Sequence, residues 1–534
     1  MLIFFLIVSL ISSINATAMI SRSEYPLSQI PAHGPKTRLT IGNKYIAPDG
    51  FNRSTTLVNG AFPGPLITAQ KGEHFDIEVV NILNDESMYV LTSVHWHGLF
   101  QNRTNYADGV AFVTQCPITQ NHSFLHSFSA PNQAGTYWYH SHYSCDGLRG
   151  PLVIYDPEDP LAYMYDVDDA STVITLADWY HTVSPDLLGT VPTAQSMLIN
   201  GLGRYAGGPQ SELAVINVKP GKRYRLRLIQ MSCEPNVQFS IDGHNLTVIE
   251  ADGQLTDPLV VDQLQILAAQ RYSVVLVTDQ PVDNYWVRAL PSTENATYDG
   301  GMNSAILRYE GAPETNPTTV NTSAQNPLVE TNLHTLNTPG APGIPGYGNA
   351  DINLNFNVSF NGSNFDVNDV TFVNPTVPVL LQILSGVRDP SELLPNGSVY
   401  VLEANKTVEL TVAIVGAPGG PHPIHLHGHA FEVVQSADSS TFNYANPVRR
   451  DVVSAGIIGQ QTVIRWVTDN SGPWILHCHI DWHLATGFAV VMAESPSDTP
   501  AHVSPVPAEW ERLCPIYNQD PDPTVAGITG IYSA

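Results

Sequence analysis

The stretch His477-Cys478-His479-Ile480-Asp481-Trp482-His483, "HCHIDWH", spends one of only five cysteines between two histidines and then supplies a third. It follows "GPWIL", a short apolar run that reads as a buried strand. Successive side chains of a strand alternate, so Cys478 faces one side of its sheet while His477 and His479 face the other. A sulfur on one face and two imidazoles on the other make two ligand sets joined by a few covalent bonds. His483, five residues beyond the cysteine, can return to the cysteine's side from a loop, and His422 from an upstream cluster can complete that set.

Working outward, 11 of the 19 histidines fall into four clusters: His95 and His97; His140 and His142; His422, His425, His427 and His429; His477, His479 and His483. Every H-x-H pair on a strand presents two imidazoles on one side. A single pair reads more readily as a polar strand face, but four together read as a metal site, because imidazoles gathered without a cation carry desolvation and repulsion costs. One thiolate among many imidazoles, with no Cys-x-x-Cys pair, argues against structural zinc. Two imidazoles and one cysteine sulfur are the ligands of a blue copper centre.

The clusters sit in a repeat. "GEHFDIEVVN", "GKRYRLRLIQ" and "NKTVELTVAI" each read as a strand and are each followed by a His-bearing stretch, "VHWHGL", "SIDGHNL" and "PIHLHGH". "GTYWYHSH", "DNYWVRAL" and "SGPWILHCH" close the three units, before the apolar strands "GPLVIYD", "SAILRYEG" and "GFAVVMAES". Three β-sandwich domains in series are expected, an all-β fold. The middle copy reads "YWVRAL" where its neighbours carry histidines, so the outer units hold the chemistry, and the middle one is read as a spacer with a share of the substrate wall. His181 and His244, in that unit, lack a partner at ligand spacing and are read as structural. The Pro- and Gly-rich segment 311–350 is read as a linker.

Length and charge bound the rest. A chain of 534 residues exceeds one hydrophobic core. A net charge of −26 excludes a general affinity for nucleic acid, which needs clustered cations. The apolar run Leu2 to Ile11, too short to span a bilayer and followed by Ala16-Thr17-Ala18, reads as a secretory signal over residues 1–18, with no membrane anchor and an extracellular location. Ten N-x-S/T sequons beyond it, at Asn52, Asn102, Asn121, Asn245, Asn295, Asn321, Asn357, Asn361, Asn396 and Asn405, fit a secreted glycoprotein. Apart from Cys478, four cysteines remain, Cys116, Cys145, Cys233 and Cys514, which suit two disulfides in any of three pairings.

"HWHG" (His95 to Gly98), "HSH" (His140 to His142), "HPIHLHGH" (His422 to His429) and "HCHIDWHLATGF" (His477 to Phe488) together resemble the four copper signatures of the multicopper oxidases, and among these the fungal laccases. The resemblance runs from about Gly34 to the C-terminal tail. It implies three cupredoxin-like Greek-key sandwiches, over residues 34–160, 161–320 and 321–534, and four copper ions per chain. His422, Cys478 and His483 would hold the type 1 copper, and His95 and His425 the type 2 copper. His97, His140 and His479 would hold one type 3 copper, with His142, His427 and His477 on the other. His429 recurs in the family without being a ligand. Phe488, ten residues after the cysteine, would take the axial place at the type 1 copper and raise its potential, having no sulfur to donate. Met492 lies too far along the strand for that place.

The resemblance further implies one-electron oxidation of phenols and aromatic amines, coupled to reduction of O2 to two waters, with lignin breakdown among the family's roles. Asp108 matches an acid beside the three-copper cluster, Asp481 a partner of the ligands, and Glu234 a carboxylate that accepts the phenol's proton while the edge of His483 takes the electron. Phe239 and the loop 418–421 are expected to line that pocket. The disulfides implied are Cys116 with Cys514 and Cys145 with Cys233. "YS" between "HSH" and Cys145 is about three residues shorter than the family's spacing, which bears on His142. A monomer is expected. The alternatives are a ferroxidase, which would want several acids around His483, and a copper-binding homologue without catalysis.

Overall fold

The structure, a computed structural model, describes residues 32–141, 144–190, 192–234, 236–292, 296–336, 340–394, 397–503 and 505–519. The expected signal, His142 and the sequons at Asn295 and Asn396 lie outside these residues. The other eight sequon asparagines are all exposed. No helix among the described residues is long and apolar enough to cross a membrane.

Strands form six sheets, two to each of three sandwiches, as in a cupredoxin-like array. The sequence repeat is a structural one. In each unit a strand that closes the repeat, Gly135–His140, Asn284–Pro291 or Gly472–Cys478, pairs antiparallel with the apolar strand after it, Arg149–Tyr155, Ser304–Tyr309 or Ala489–Glu494. On its other side it pairs with His95–His97, Val237–Ile241 or Pro423–Leu426. Each apolar strand also takes a parallel partner, Ile67–Gln70, Val215–Val218 or Val399–Leu402. The opposing sheets repeat too: Lys36–Ile46 and His74–Asn81 run parallel, as do Val173–Trp179 with Arg223–Gln230 and Ile352–Phe360 with Thr407–Gly416.

Two hydrophobic patterns distinguish these strands. His74–Asn81 buries alternate residues, Phe75, Ile77 and Val79, and leaves the intervening ones partly wet, the signature of a sheet with one solvated face. Gly135–His140 and Gly472–Cys478 are buried at every position, because their outer faces meet another unit. One apolar cluster joins all three units there: Trp138 and Val153 from the first, Ile229 and Ala269 from the second, and Val452 from the third.

The linker segment runs across both later units, with no regular strand among its described residues. Thr335 bridges Thr256 in the second, and its hydroxyl accepts from the Arg449 backbone in the third. The disulfides are Cys116–Cys514, which ties the first unit to the C-terminal helix Ala508–Gln519, and Cys145–Cys233, which ties it to the second unit. Phe239 does not line a pocket as expected. It is fully buried in the core of the second sandwich, flanked within its own sheet by Leu264 and Ala289 on the neighbouring strands, because its strand position faces inward.

Candidate metal centre

Register places the histidines. On Gly472–Cys478, His477 lies opposite His425 and Cys478 opposite Ile424, so one residue's offset separates the two ligand faces. On the first unit's sheet, His95 lies opposite His140.

On the cysteine's face, His422 Nδ1 and His483 Nδ1 stand 3.1 Å apart and lie 3.8 and 3.5 Å from Cys478 Sγ. The three could hold a single ion. Burial pushes the Cys478 thiol well up and the His422 imidazole down to about 4. A thiol so placed loses its proton only to a cation, and neutral imidazoles are the ligand form. His422 and Cys478 are buried, whereas His483 is half-buried. A Cβ on Gly419 would lie 3.2 Å from the His483 ring, so the exposed loop 418–420 borders it. The Phe488 ring lies 5.5 Å from that of His422 and stacks on Phe365, which itself lies 4.3 Å from His483. Met492 lies opposite Trp474, four residues along from Cys478.

On the other face, histidines of the first and third units interleave. His97 stacks on His425 at 3.8 Å between centroids, His95 lies 3.9 Å from His427, and His479 lies 5.0 Å from both His97 and His140. His427 Nε2 and His477 Nε2 face each other at 3.2 Å. Triplets His95, His97, His425 and His97, His140, His479 could each hold an ion. All are buried, and burial holds His97, His140, His425 and His479 well below the usual imidazole range.

Hydrogen bonds fix which nitrogen faces inward. The Nδ1 of His95 meets the carbonyl of Asp108, that of His140 the carbonyl of Ser141, that of His425 the carbonyl of Asp451 and that of His477 the carbonyl of Cys478, each at 2.8 or 2.9 Å. His427 Nδ1 donates to Asp108 Oδ2 at 2.9 Å. With those protons placed, every Nε2 is a lone pair aimed into the cluster. His97 is reversed: its Nε2 meets Asp451 Oδ1 at 3.2 Å, and its Nδ1 has no hydrogen-bond partner. Facing lone pairs such as those of His427 and His477 repel unless a cation lies between them, so the donor set fits metal.

Of the acids, Asp108 is fully buried and touches His95 as well as His427. Burial raises its carboxyl while His95 opposes the shift. Asp481 opens the helix Asp481–Ala485; its backbone N–H donates to Cys233 O, and its Oδ2 lies 3.2 Å from Cys145 Sγ. Glu234 follows Cys233 directly, so that bond draws it toward the helix carrying His483. Burial, then the charge of Asp178, raises its carboxyl to about 7, and Tyr180 donates to it at 3.5 Å. His429 bonds the His427 carbonyl and Glu494 and joins no ligand set; His244 bonds Tyr309, and His181 bonds Asp49.

Sequence reasoning passed over Asp451, Phe365 and Tyr180. Asp451 was the most findable, since "RRDVV" puts charges directly before an apolar run.

Three family models, each described as multicopper oxidase, match residues 40–159, 170–312 and 372–498. Among curated relatives, Laccase-4 of Trametes villosa is 56% identical over 493 residues, 91% of this chain and 94% of its own length. The laccase of Pycnoporus cinnabarinus is 56% identical over 492 residues, 91% of this chain and 95% of its own. Among solved structures, the laccase of Botrytis aclada superposes with a TM-score of 0.79 at 31% identity, covering 92% of this chain and 93% of that one. Fet3p, described as a multicopper oxidase that functions in iron import, gives 0.80 at 28%, covering 91% and 95%.

Proposed function

The chain belongs to the multicopper oxidases, and on that premise we propose that it is a secreted laccase that holds four copper ions and oxidises phenols and aromatic amines at the expense of O2. His422, Cys478 and His483 hold the type 1 copper, and His95 and His425 the type 2 copper. His97, His140 and His479 hold one type 3 copper, and His142, His427 and His477 the other. Copper bound by these residues would supply one-electron redox chemistry, four electrons in all, for the reduction of O2 to two waters.

The chain's own residues set the path. One observation carries the reading: His477 and Cys478 take opposite faces at the end of one strand and His479 follows directly, so the sulfur and the shared cluster are joined through a few backbone bonds. The half-buried edge of His483 is where an aromatic donor can approach, beside the loop 418–420. Glu234 accepts the phenol's proton, which makes the electron easier to remove. Asp108 orients His95 and His427 and is the buried acid assigned to pass protons toward oxygen. Asp481, through its bond to the Cys233 carbonyl, keeps the His483 helix seated on the second unit. The exposed sequon asparagines support glycosylation, and residues 1–18 are assigned to export.

A ferroxidase would need carboxylates around His483. Glu234 is one, but the Asp481 Oδ2 lies against Cys145 Sγ. Oxygen uptake by the copper-replete protein, with Fe(II) competing against a dimethoxyphenol, tests the choice. The laccase reading predicts a higher kcat/KM for the phenol; a preference for Fe(II) would refute it.

A further inference from the structure

The middle unit supplies no ligand, yet it grips the segment that sets two of them. Arg271 of that unit is fully buried, and its Nη1 and Nη2 each donate to one carboxylate oxygen of Asp451 at 2.6 Å. Its Nε donates to the carbonyl of Thr136 in the first unit at 3.1 Å, so one guanidinium touches all three units. Gln270 donates to the carbonyl of Val452 at 3.1 Å, and Asp252 accepts from Arg450 Nε at 2.9 Å. Three side chains of the second unit therefore hold Arg450, Asp451 and Val452 in the third.

Asp451 meets His97 Nε2 through its carboxylate and His425 Nδ1 through its carbonyl. Where this carboxylate stands decides that His97 turns Nδ1 inward, the reverse of the five rings whose Nδ1 is bonded outward. The packing leaves no slack. Gly98, the last residue of "HWHG", has φ +88°, and a Cβ there would lie 2.5 Å from Arg271 Nη2 and 2.8 Å from Asp451 Oδ2. A planar two-point clamp defines the plane of the carboxylate as well as its position, which a lysine ammonium cannot do.

We propose that Arg271 is a positioning residue for the shared histidine cluster: by clamping Asp451 it sets the rings of His97 and His425, and through it the second unit tunes a site to which it contributes no ligand. The proposal rests on the reading that those histidines hold copper. Its test is spectroscopic. R271K and R271Q are purified as copper-loaded holoenzymes beside R465K, which alters an equally buried arginine paired with Glu409 away from the histidines. Blue absorption per chain, copper per chain and the low-temperature paramagnetic resonance of the non-blue Cu(II) are recorded. The expected result is blue absorption unchanged in all three, with the non-blue hyperfine splitting shifted, or the copper count lowered, only in the Arg271 variants. An unaltered non-blue signal at full copper in R271K would overturn the proposal. So would failure of both Arg271 variants to accumulate as blue protein, which would make Arg271 a clasp of the whole fold. A wild-type protein carrying only blue copper would instead refute the ligand reading.

Discussion

At the scale of single residues, burial decides which groups can act. Cys478 is the free cysteine, and its raised thiol pKa makes it a ligand only in the presence of a cation. Cys478→Ser keeps the volume and removes the soft donor, so blue colour and oxygen uptake should both vanish, read by absorption and an oxygen electrode. In the proposed type 1 site, Phe488 would offer a ring and no lone pair. Phe488→Met should lower the potential of the blue copper in a redox titration and slow the oxidation of phenols with high potentials. Glu234 has a folded pKa raised to about 7, so it is protonated below that pH and a base above it. Its contribution to phenol oxidation should be lost as pH falls through 7, and Glu234→Gln should lower kcat/KM for phenols about tenfold or more above that pH. Ferrocyanide, which releases no proton, should show neither effect.

At the scale of elements, register is the controlling variable. The pairing of His477 with His425 and of Cys478 with Ile424 puts sulfur and imidazole on opposite faces, and a slip of one residue would exchange them. The turn after the central histidines is equally constrained: Gly428 has φ +73°, and a Cβ there would lie 2.5 Å from the Trp474 ring. Gly428→Ala should cost about 2–4 kcal/mol through backbone strain and the clash, measured by denaturant unfolding. These strands were legible in the sequence because alternation, fully apolar runs and H-x-H spacing are local signals that recur three times. The partners of the histidines were not. Arg271 and Asp451 are 180 residues apart, and Phe365 reaches His483 from a strand of the opposing sheet; no spacing rule announces contacts made only when units pack. Phe239 shows the converse, an aromatic taken for a pocket wall whose strand position faces the core.

At the scale of the whole molecule, the histidine cluster is a joint between the first and third units, since His95, His97 and His140 meet His425, His427 and His479 there. An ion bound only by the folded arrangement stabilises it by mass action, and it also screens the repulsion of facing lone pairs. Removing copper with a strong chelator should lower the calorimetric midpoint by several degrees, and adding it back should restore it. The Cys116–Cys514 bridge acts on the same joint from outside by tying the C-terminal helix to the first unit. Central to the proposed laccase is that one sulfur connects a donor-facing site to an oxygen-facing one. Following the blue band in a stopped-flow spectrometer tests it most directly: under argon, a dimethoxyphenol should bleach the band, and a pulse of oxygen should restore it within the turnover time. Oxygen consumption with no bleaching, or a copper-replete protein with no such band, would contradict the account.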